Sequence, residues 1–226
     1  MRTYPRFRLI CHAVLAIGLA LGPFGLAYGQ GAPGFPEDVR RGFDPREVAL
    51  LPPYCAYTQL FRDNVPGGMD PDEIKRWTAI LGPTYIHMHH YCWGLMKTNR
   101  ALLFVRSKKF RDYYLRDSLQ EFDYVINRAT PGFRLLPEIH TKKGQNLLRL
   151  GRTAEGLQEL ERAIALKPDY WPPYAAISDH YMETGDRAKA RQWLEAGLSY
   201  DPDVHALRRR LAEIDAGAKS GSAAGR

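Results

Sequence analysis

Apolar residues recur at helical spacing over residues 137–204, and glycine and proline divide this pattern into four stretches. Gly151 and Gly185 each follow the first stretch of a pair, where glycine can take the left-handed conformation that ends a helix. Pro168 and Pro202 each follow the second stretch, and proline stops a helix. The pattern therefore predicts two helical hairpins, over residues 137–170 and 171–204.

The two hairpins are related by a shift of 34 residues. When residues 137–170 are aligned with 171–204, seven of the 34 positions are identical, whereas unrelated segments would share about two. The identical pairs are Gly151/Gly185, Ala154/Ala188, Gln158/Gln192, Leu160/Leu194, Glu161/Glu195, Pro168/Pro202 and Asp169/Asp203. Because one hairpin cannot bury its apolar face alone, the repeat predicts stacked neighbours and an all-α solenoid.

The residues at fixed places within each unit resemble the tetratricopeptide repeat (TPR). Its pattern is a large residue, Leu-Gly, an aromatic, then Gly, Ala, an aromatic, Ala and Pro. These places hold, in the first unit, His140, Lys143-Gly144, Leu147, Gly151, Gly156, Leu160, Ala163 and Pro168, and in the second, Tyr174, Ile177-Ser178, Tyr181, Gly185, Ala190, Leu194, Gly197 and Pro202. Lys143 departs from the pattern, and several aromatic places are aliphatic. The resemblance implies a right-handed, TPR-like solenoid of helical hairpins.

A third unit begins after Pro202 but contains only a first helix. Arg208, Leu211 and Ala212 occupy its large, Leu and Gly places, so residues 205–215 are predicted to form a capping helix that solvates the end of the solenoid. The tail over 216–226 is rich in glycine, serine and alanine, and we expect it to be disordered.

The resemblance also implies a binding surface, because the first helices of such repeats line a groove that receives a peptide or a partner helix. Carried over by position, the groove residues are Glu138, Thr141, Gln145, Leu148, Arg149, Ala175, Asp179, Met182 and Glu183. This lining is mixed polar with two apolar positions, which favours transient peptide recognition. It has no concentrated lysine and arginine clamp, so we do not expect specificity for a C-terminal carboxylate. The expected partner is another protein or peptide, and the pattern specifies no oligomeric state.

The region before the repeats has a different pattern. Residues 30–52 are rich in glycine and proline and predict an extended arm or linker. Residues 53–136 are expected to form a helical, repeat-like region. Asp70-Pro71-Asp72-Glu73 is typical of a helix start, with an N-cap acid and a glutamate that can complete a capping box. The predicted helices cover 70–81, 84–105 and 110–129.

The first 29 residues have the order of a secretory signal peptide. Three arginines precede an uncharged apolar run from Leu9 to Ala27, and small residues then predict cleavage before Gln30. The alternative is a retained membrane anchor, which usually needs about 20 apolar residues without the glycines and proline of this run. Cleavage removes three positive charges and lowers the net charge from +7 to +4. We therefore expect a periplasmic or secreted bacterial protein, with no remaining membrane span and no nucleic-acid partner.

Two cysteines, Cys55 and Cys92, remain after cleavage. In an oxidising compartment an even pair favours a disulfide, which here would close a loop of 36 intervening residues. The alternative is a pair of buried free thiols.

A cluster of polar residues, 87–92, contains three of the seven histidines and Cys92. On a helix His87 and His90 share a face and could ligate zinc or copper, but a site needs further ligands, and no HExxH or paired CxxC spacing supplies them. The alternative is that these side chains pack against the segment around Cys55. No nucleophile or phosphate-binding motif is present.

These observations predict a non-enzymatic periplasmic TPR scaffold or adaptor that binds no cofactor and serves a cell-envelope, secretion or polysaccharide-export assembly. That last element follows from compartment and fold analogy alone. The second hypothesis is a metal- or haem-handling protein that uses the 87–92 cluster.

Overall fold

The computed structural model describes residues 44–223, with side chains over 44–216. The predicted signal peptide and most of the predicted arm lie outside the described residues. The α-helices are α1 Pro45–Val48, α2 Pro71–Leu81, α3 Met88–Asn99, α4 Lys108–Ile126, α5 Leu136–Arg149, α6 Thr153–Leu166, α7 Pro172–Glu183, α8 Arg187–Tyr200 and α9 His205–Ala223. Residues 44–223 contain no strand, and no helix among them has the length and apolar content needed to cross a membrane. The all-α fold class is confirmed.

The hairpins α5–α6 and α7–α8 coincide with the two predicted units. Gly151 and Gly185 have φ angles of 76° and 86°, in the left-handed region that favours glycine. After each glycine the backbone N–H donates back to the last turn of the helix, from Arg152 to Leu147 at 2.9 Å and from Asp186 to Tyr181 at 2.8 Å. These bonds satisfy carbonyls that the helix end leaves free and reverse the chain.

Small residues let the two helices of the first unit approach closely. A Cβ atom on Gly144 would lie 2.8 Å from the carbonyl oxygen of Gly156 and 2.8 Å from Leu160 Cγ. Real Cβ atoms essentially never come so near, so glycine at position 144 is what allows α5 and α6 to pack at this distance.

The helices before the repeats differ from their predicted extents. The helix predicted over 84–105 is instead a 3₁₀ turn, Gly82–His87, then α3, then a π-helical turn, Arg100–Phe104. The Val105 N–H closes that last turn by donating to the Arg100 carbonyl at 3.1 Å. Part of the predicted arm is also not extended, because α1 forms there and Glu47 pairs with Arg100 on the π turn.

At the start of α2, Asp70 is the N-cap as predicted, accepting from the backbone N–H groups of Asp72 and Glu73 at 2.9 and 3.2 Å. The predicted capping box is wrong. The Glu73 carboxylate accepts from Trp77 Nε1 at 2.9 Å, one helical turn ahead, rather than turning back to the N-cap.

The N-terminal hairpin α3–α4 stacks directly on the first repeat. Asn146 of α5 is fully buried, and its Nδ2 donates to Thr98 Oγ1 of α3 at 2.6 Å and to Ser118 Oγ of α4 at 2.9 Å. One amide therefore joins three helices from two hairpins. The solenoid thus extends upstream of the predicted repeats.

The last helix, α9, packs Leu207 and Ile214 into the apolar core formed by α7 and α8. It continues to Ala223, eight residues past the predicted end at 215. The prediction of disorder from 216 therefore differs from the structure over 216–223. Buried Leu207 and Ile214 anchor this helix, and Ala216, Ala218 and Ala223 favour its continuation, whereas Gly217 and Gly221 oppose it. Residues 224–226 lie outside the described part of the chain.

Candidate functional site

The first helices of the repeats, α5 and α7, lie side by side, and α9 lies beside α7. We call the surface that these three helices share the α5–α7–α9 face. It contains two adjoining depressions, one of about 160 Å³ between α5 and α7 and one of about 330 Å³ between α7 and α9. The first is lined by Gln145, Leu148, Arg149, Ala176, Asp179, His180 and Glu183. The second is lined by Ser178, Asp179, Met182, Glu183, Arg210, Glu213 and Ile214.

Six of the nine predicted groove residues line these depressions: Gln145, Leu148, Arg149, Asp179, Met182 and Glu183. Asp179 and Glu183 line both, so the two depressions share a wall on α7. This placement agrees with the register carried over from the resemblance. Partner binding by these residues stays a prediction.

The other three predicted groove residues lie elsewhere. Glu138 accepts a hydrogen bond from Tyr91 Oη at 2.6 Å, at the junction with the N-terminal hairpin. Thr141 is 2% exposed and donates to the Pro137 carbonyl at 2.7 Å. Ala175 is buried in the core that α7, α8 and α9 share. None of the three lines either depression among the described residues.

Three lining residues on α9, Arg210, Glu213 and Ile214, were not predicted from the sequence. The resemblance of the third unit to the repeat covers only its large, Leu and Gly places, which include no groove position. The shift of 34 residues that relates the two units places Ala176, Asp179 and His180 of α7 on Arg210, Glu213 and Ile214 of α9, and this is the signal that could have found them.

Charged groups give the face a definite chemistry. Arg210 of α9 donates two hydrogen bonds to the Asp179 carboxylate, at 2.8 and 3.0 Å, and this pairing raises the pKa of Arg210. Burial lowers the pKa of Arg149, while the Glu183 carboxylate opposes that shift. Asp179 and Arg210 neutralise each other. The remaining charged side chains of the face are therefore one positive, Arg149, and two negative, Glu183 and Glu213. The face carries a small excess of negative charge beside apolar Leu148, Met182 and Ile214.

The histidines of the 87–92 cluster have protein partners. His90 Nδ1 lies 2.5 Å from Glu121 Oε2, and the His90 ring stacks on Tyr124 with centroids 3.6 Å apart. His87 makes an edge contact with the same Tyr124 ring. Burial, helped by the neighbouring His90, lowers the pKa of His89 to about 4. The described residues contain no group of three or more histidine, cysteine or acidic ligands that could hold a metal, so this geometry does not favour the second hypothesis.

Glu121 is part of a partly buried charge network, in which Lys97 is the buried member. Lys97 of α3 donates to Glu121 Oε1 at 2.6 Å and pairs with Asp117 at 2.8 Å. The first repeat contains a chemically similar arrangement, in which His140 and Lys143 contact Glu159 at 2.6 and 2.9 Å. In both places a carboxylate on the second helix of a hairpin is hydrogen-bonded to a histidine and a lysine on the first helix. The ionic groups therefore connect the two helices of each hairpin.

Cys55 and Cys92 form a disulfide, as predicted, with their Cα atoms 5.7 Å apart. Both residues are fully buried, in the N-terminal core beside Tyr54, Tyr91 and Met88. The bond connects the 3₁₀ turn Pro53–Tyr57 to α3. Cys92 is consequently not available as a metal ligand.

Comparison with known proteins supports the repeat assignment. Residues 147–211 match the tetratricopeptide-repeat family. The Hsp70-Hsp90 organizing protein of Triticum aestivum is 29% identical over 99 residues, which cover 42% of this chain and 17% of that protein. The chain thus spans less than a fifth of the curated relative that it matches. No solved structure matches the chain. The fold is a TPR-like helical solenoid, and TPR domains bind other proteins or peptides.

Proposed function

We propose that this chain is a scaffold that holds a peptide segment of another protein on the α5–α7–α9 face. The observation that carries the proposal is the alignment of two adjoining depressions along neighbouring first helices, with Asp179 and Glu183 in both. An extended or helical peptide can place successive side chains in such a row.

The lining suggests what the peptide contains. Leu148, Met182 and Ile214 offer apolar contacts, while Glu183 and Glu213 favour a basic side chain. The name of the wheat relative describes a protein that organizes Hsp70 and Hsp90, and an organizing role agrees with a scaffold. The small share of that protein that is matched gives no reason to transfer its two partners.

The proposed location is the periplasm, within a cell-envelope, secretion or polysaccharide-export assembly. The sequence order of residues 1–29 supports export. The Cys55–Cys92 bond supports an oxidising compartment, where such bonds persist.

Peptide display tests the binding proposal. A randomised peptide library would be selected on the wild-type chain, and the enriched peptides measured against two double variants. Glu183→Arg with Glu213→Arg changes the charge of the face, whereas Glu161→Arg with Glu195→Arg makes the same charge change at exposed positions on α6 and α8. We expect at least tenfold weaker binding to the first variant and unchanged binding to the second. Failure to enrich peptides, or equal losses in both variants, contradicts the proposal.

Mass spectrometry of the chain isolated from the periplasm tests the location. A mature mass that begins at Gln30 and is two hydrogens lighter than the reduced form supports export and oxidation. A chain retained in the cytoplasm with Cys55 and Cys92 as free thiols contradicts both.

A further inference from the structure

The connection between α3 and α4 presents four large apolar side chains to solvent. Leu102, Leu103 and Phe104 of the π turn are 44%, 62% and 45% exposed, and Phe110 in the first turn of α4 is 41% exposed. We call residues 102–111 the hairpin tip. Single exposed apolar residues are common on protein surfaces, but several within one short segment mark an interaction site.

The tip is held in this conformation by the residues beneath it. Ala101 is 1% exposed and packs with Tyr114 and Leu115 in a small apolar core. Arg100 Nη2 donates to the Glu47 carboxylate at 2.8 Å and connects the π turn to α1. The exposure of the neighbouring apolar side chains is therefore part of a packed structure rather than the result of a frayed helix end.

The charges of the tip all have one sign. Residues 102–111 contain Arg106, Lys108, Lys109 and Arg111 and no acidic residue. Lys108 and Arg111 both pair with Asp112, the next residue along the chain. Arg106 and Lys109 are exposed and form no ion pair with any residue in the described range 44–216.

We propose that the hairpin tip docks on the surface of a bilayer that contains anionic phospholipid. The leucine and phenylalanine side chains enter the boundary between headgroups and acyl chains, as the apolar face of an interfacial segment does. Arg106 and Lys109 then lie at the level of the lipid phosphates, which attract basic residues near the surface. The described part of the chain, residues 44–223, contacts the membrane in this way without crossing it.

Composition favours a bilayer over a protein at this place. Protein–protein interfaces are depleted in lysine relative to the rest of the surface. Here Lys108 and Lys109 stand in the middle of the apolar segment, between Phe104 and Phe110. A bilayer accommodates this arrangement, because long basic side chains reach the interface while their neighbours are buried.

A fluorescent label tests insertion at the tip. The full chain is produced in its host with the substitution Leu103→Cys. An environment-sensitive thiol dye is then attached to this cysteine without reductant, so that the native disulfide stays closed. A matched Gln158→Cys chain carries the dye on α6, and any labelling of Cys11 is common to both. With vesicles of phosphatidylcholine and about 30% phosphatidylglycerol, we expect a blue shift and increased emission only for the Leu103 position, and reversal in high salt.

Three results overturn the proposal. One is a Leu103 dye that does not respond to these vesicles. Another is an equal response to pure phosphatidylcholine, which removes the role of the basic residues. The third is a dye already in apolar surroundings without vesicles, which shows that residues 9–27 or a second copy of the chain cover the tip.

Vesicle co-sedimentation tests the charges separately. Each basic residue near an anionic surface strengthens binding about fivefold, so Arg106→Ala with Lys109→Ala is expected to weaken vesicle binding about 25-fold. Lys75→Ala with Arg187→Ala removes the same charge from exposed positions elsewhere and is expected to have a much smaller effect. Equal losses from both pairs contradict docking by the tip.

Discussion

The Tyr91 hydroxyl of α3 donates a hydrogen bond of 2.6 Å to the Glu138 carboxylate of α5. Tyr91 is fully buried, and burial together with the nearby carboxylate raises the pKa of its hydroxyl. The bond connects residues 47 positions apart and joins the N-terminal hairpin to the first repeat. Glu138 thereby stabilises the stacking of hairpins, although its position in the repeat suggested a place in the groove.

Tyr91→Phe should destabilise the fold while leaving the binding face intact. Hydrogen bonds to charged groups contribute about 1.5 to 3 kcal/mol, so we expect a loss of that size in the free energy of unfolding. Urea unfolding measures it. Tyr200→Phe, on an exposed tyrosine, is the control and should change little. Equal stability of the Tyr91 variant and the wild type would contradict a stabilising bond.

The buried side chain of Asn146 allows a sharper test of the packing between hairpins. Its Nδ2 group donates two hydrogen bonds, which a carboxylate in the same place cannot do. The hydroxyls of Thr98 and Ser118 already donate to backbone carbonyls, so their oxygens are the acceptors that face Asn146. Asn146→Asp removes the donor and puts a negative charge against these oxygens, and Arg149, whose Nη1 donates to Asn146 Oδ1 at 3.0 Å, offsets part of that cost. We expect a loss of about 1 to 3 kcal/mol at neutral pH, larger than that of Asn146→Ala.

The pH dependence checks the cause. A protonated aspartic acid can donate a hydrogen bond, so the deficit of Asn146→Asp relative to the wild type should shrink as the pH falls. Unfolding by urea at several pH values measures this difference. If Asn146→Asp is as stable as Asn146→Ala at neutral pH, the donor assignment is wrong.

Breaking the disulfide should weaken the whole N-terminal region. Closing a loop with a sequence separation of 37 residues is worth about 3 to 4 kcal/mol by chain entropy. Cys55→Ala with Cys92→Ala should lower the denaturation midpoint accordingly, and reductant should lower that of the wild type in the same way. The double variant is the control for reductant, which should not affect it. A wild-type midpoint that is insensitive to complete reduction would contradict the prediction.

The Glu159 carboxylate should make the free energy of unfolding depend on pH in the acidic range. Burial acts to raise the pKa of Glu159, but hydrogen bonds from His140 and Lys143 outweigh it and lower the pKa from 4.5 to about 2. A carboxyl group with a lowered pKa contributes stability that is fully present above pH 4.5 and is lost as the pH falls towards 2.

Glu159→Gln removes that contribution. The difference in unfolding free energy between the wild type and this variant should be constant at neutral pH and decrease below pH 4.5. Glu161→Gln, on the exposed side of the same helix, controls for the loss of one carboxylate. A difference that is the same at pH 3 and pH 7 would show that the ion pairs do not contribute.

The repeats could be predicted from the sequence because their signals are local. Glycine and proline at fixed offsets mark where each helix ends, and the shift of 34 residues confirms the register. The same holds for the start of α2, where Asp70 and Pro71 are adjacent in the chain. The six groove residues that line the depressions follow from that register.

The features that the sequence did not predict depend on contacts between residues that are distant in the chain. The π turn that interrupts the predicted helix is held by Glu47 of α1, which is 53 residues away from Arg100. Glu138 is withdrawn from the groove because α3 reaches it, and no repeat pattern in the sequence indicates that α3 stacks there. Side chains of α9 reach the binding face by packing, not by sequence similarity to a complete unit.

The positions of the disulfide and of Asn146 make the two ends of the solenoid unequal. In a stack of hairpins each unit is stabilised by its neighbours, so the array can unfold one unit at a time, beginning at an end. Here the end that contains α3 is covalently closed and joined across three helices, whereas α9 is held by Leu207, Ile214 and the Arg210 pair. Opening should start at α9 and move towards α5. The surface proposed to bind peptide therefore lies in the part of the molecule that unfolds locally most easily. A bound peptide that contacts α5, α7 and α9 would stabilise these helices against that unfolding.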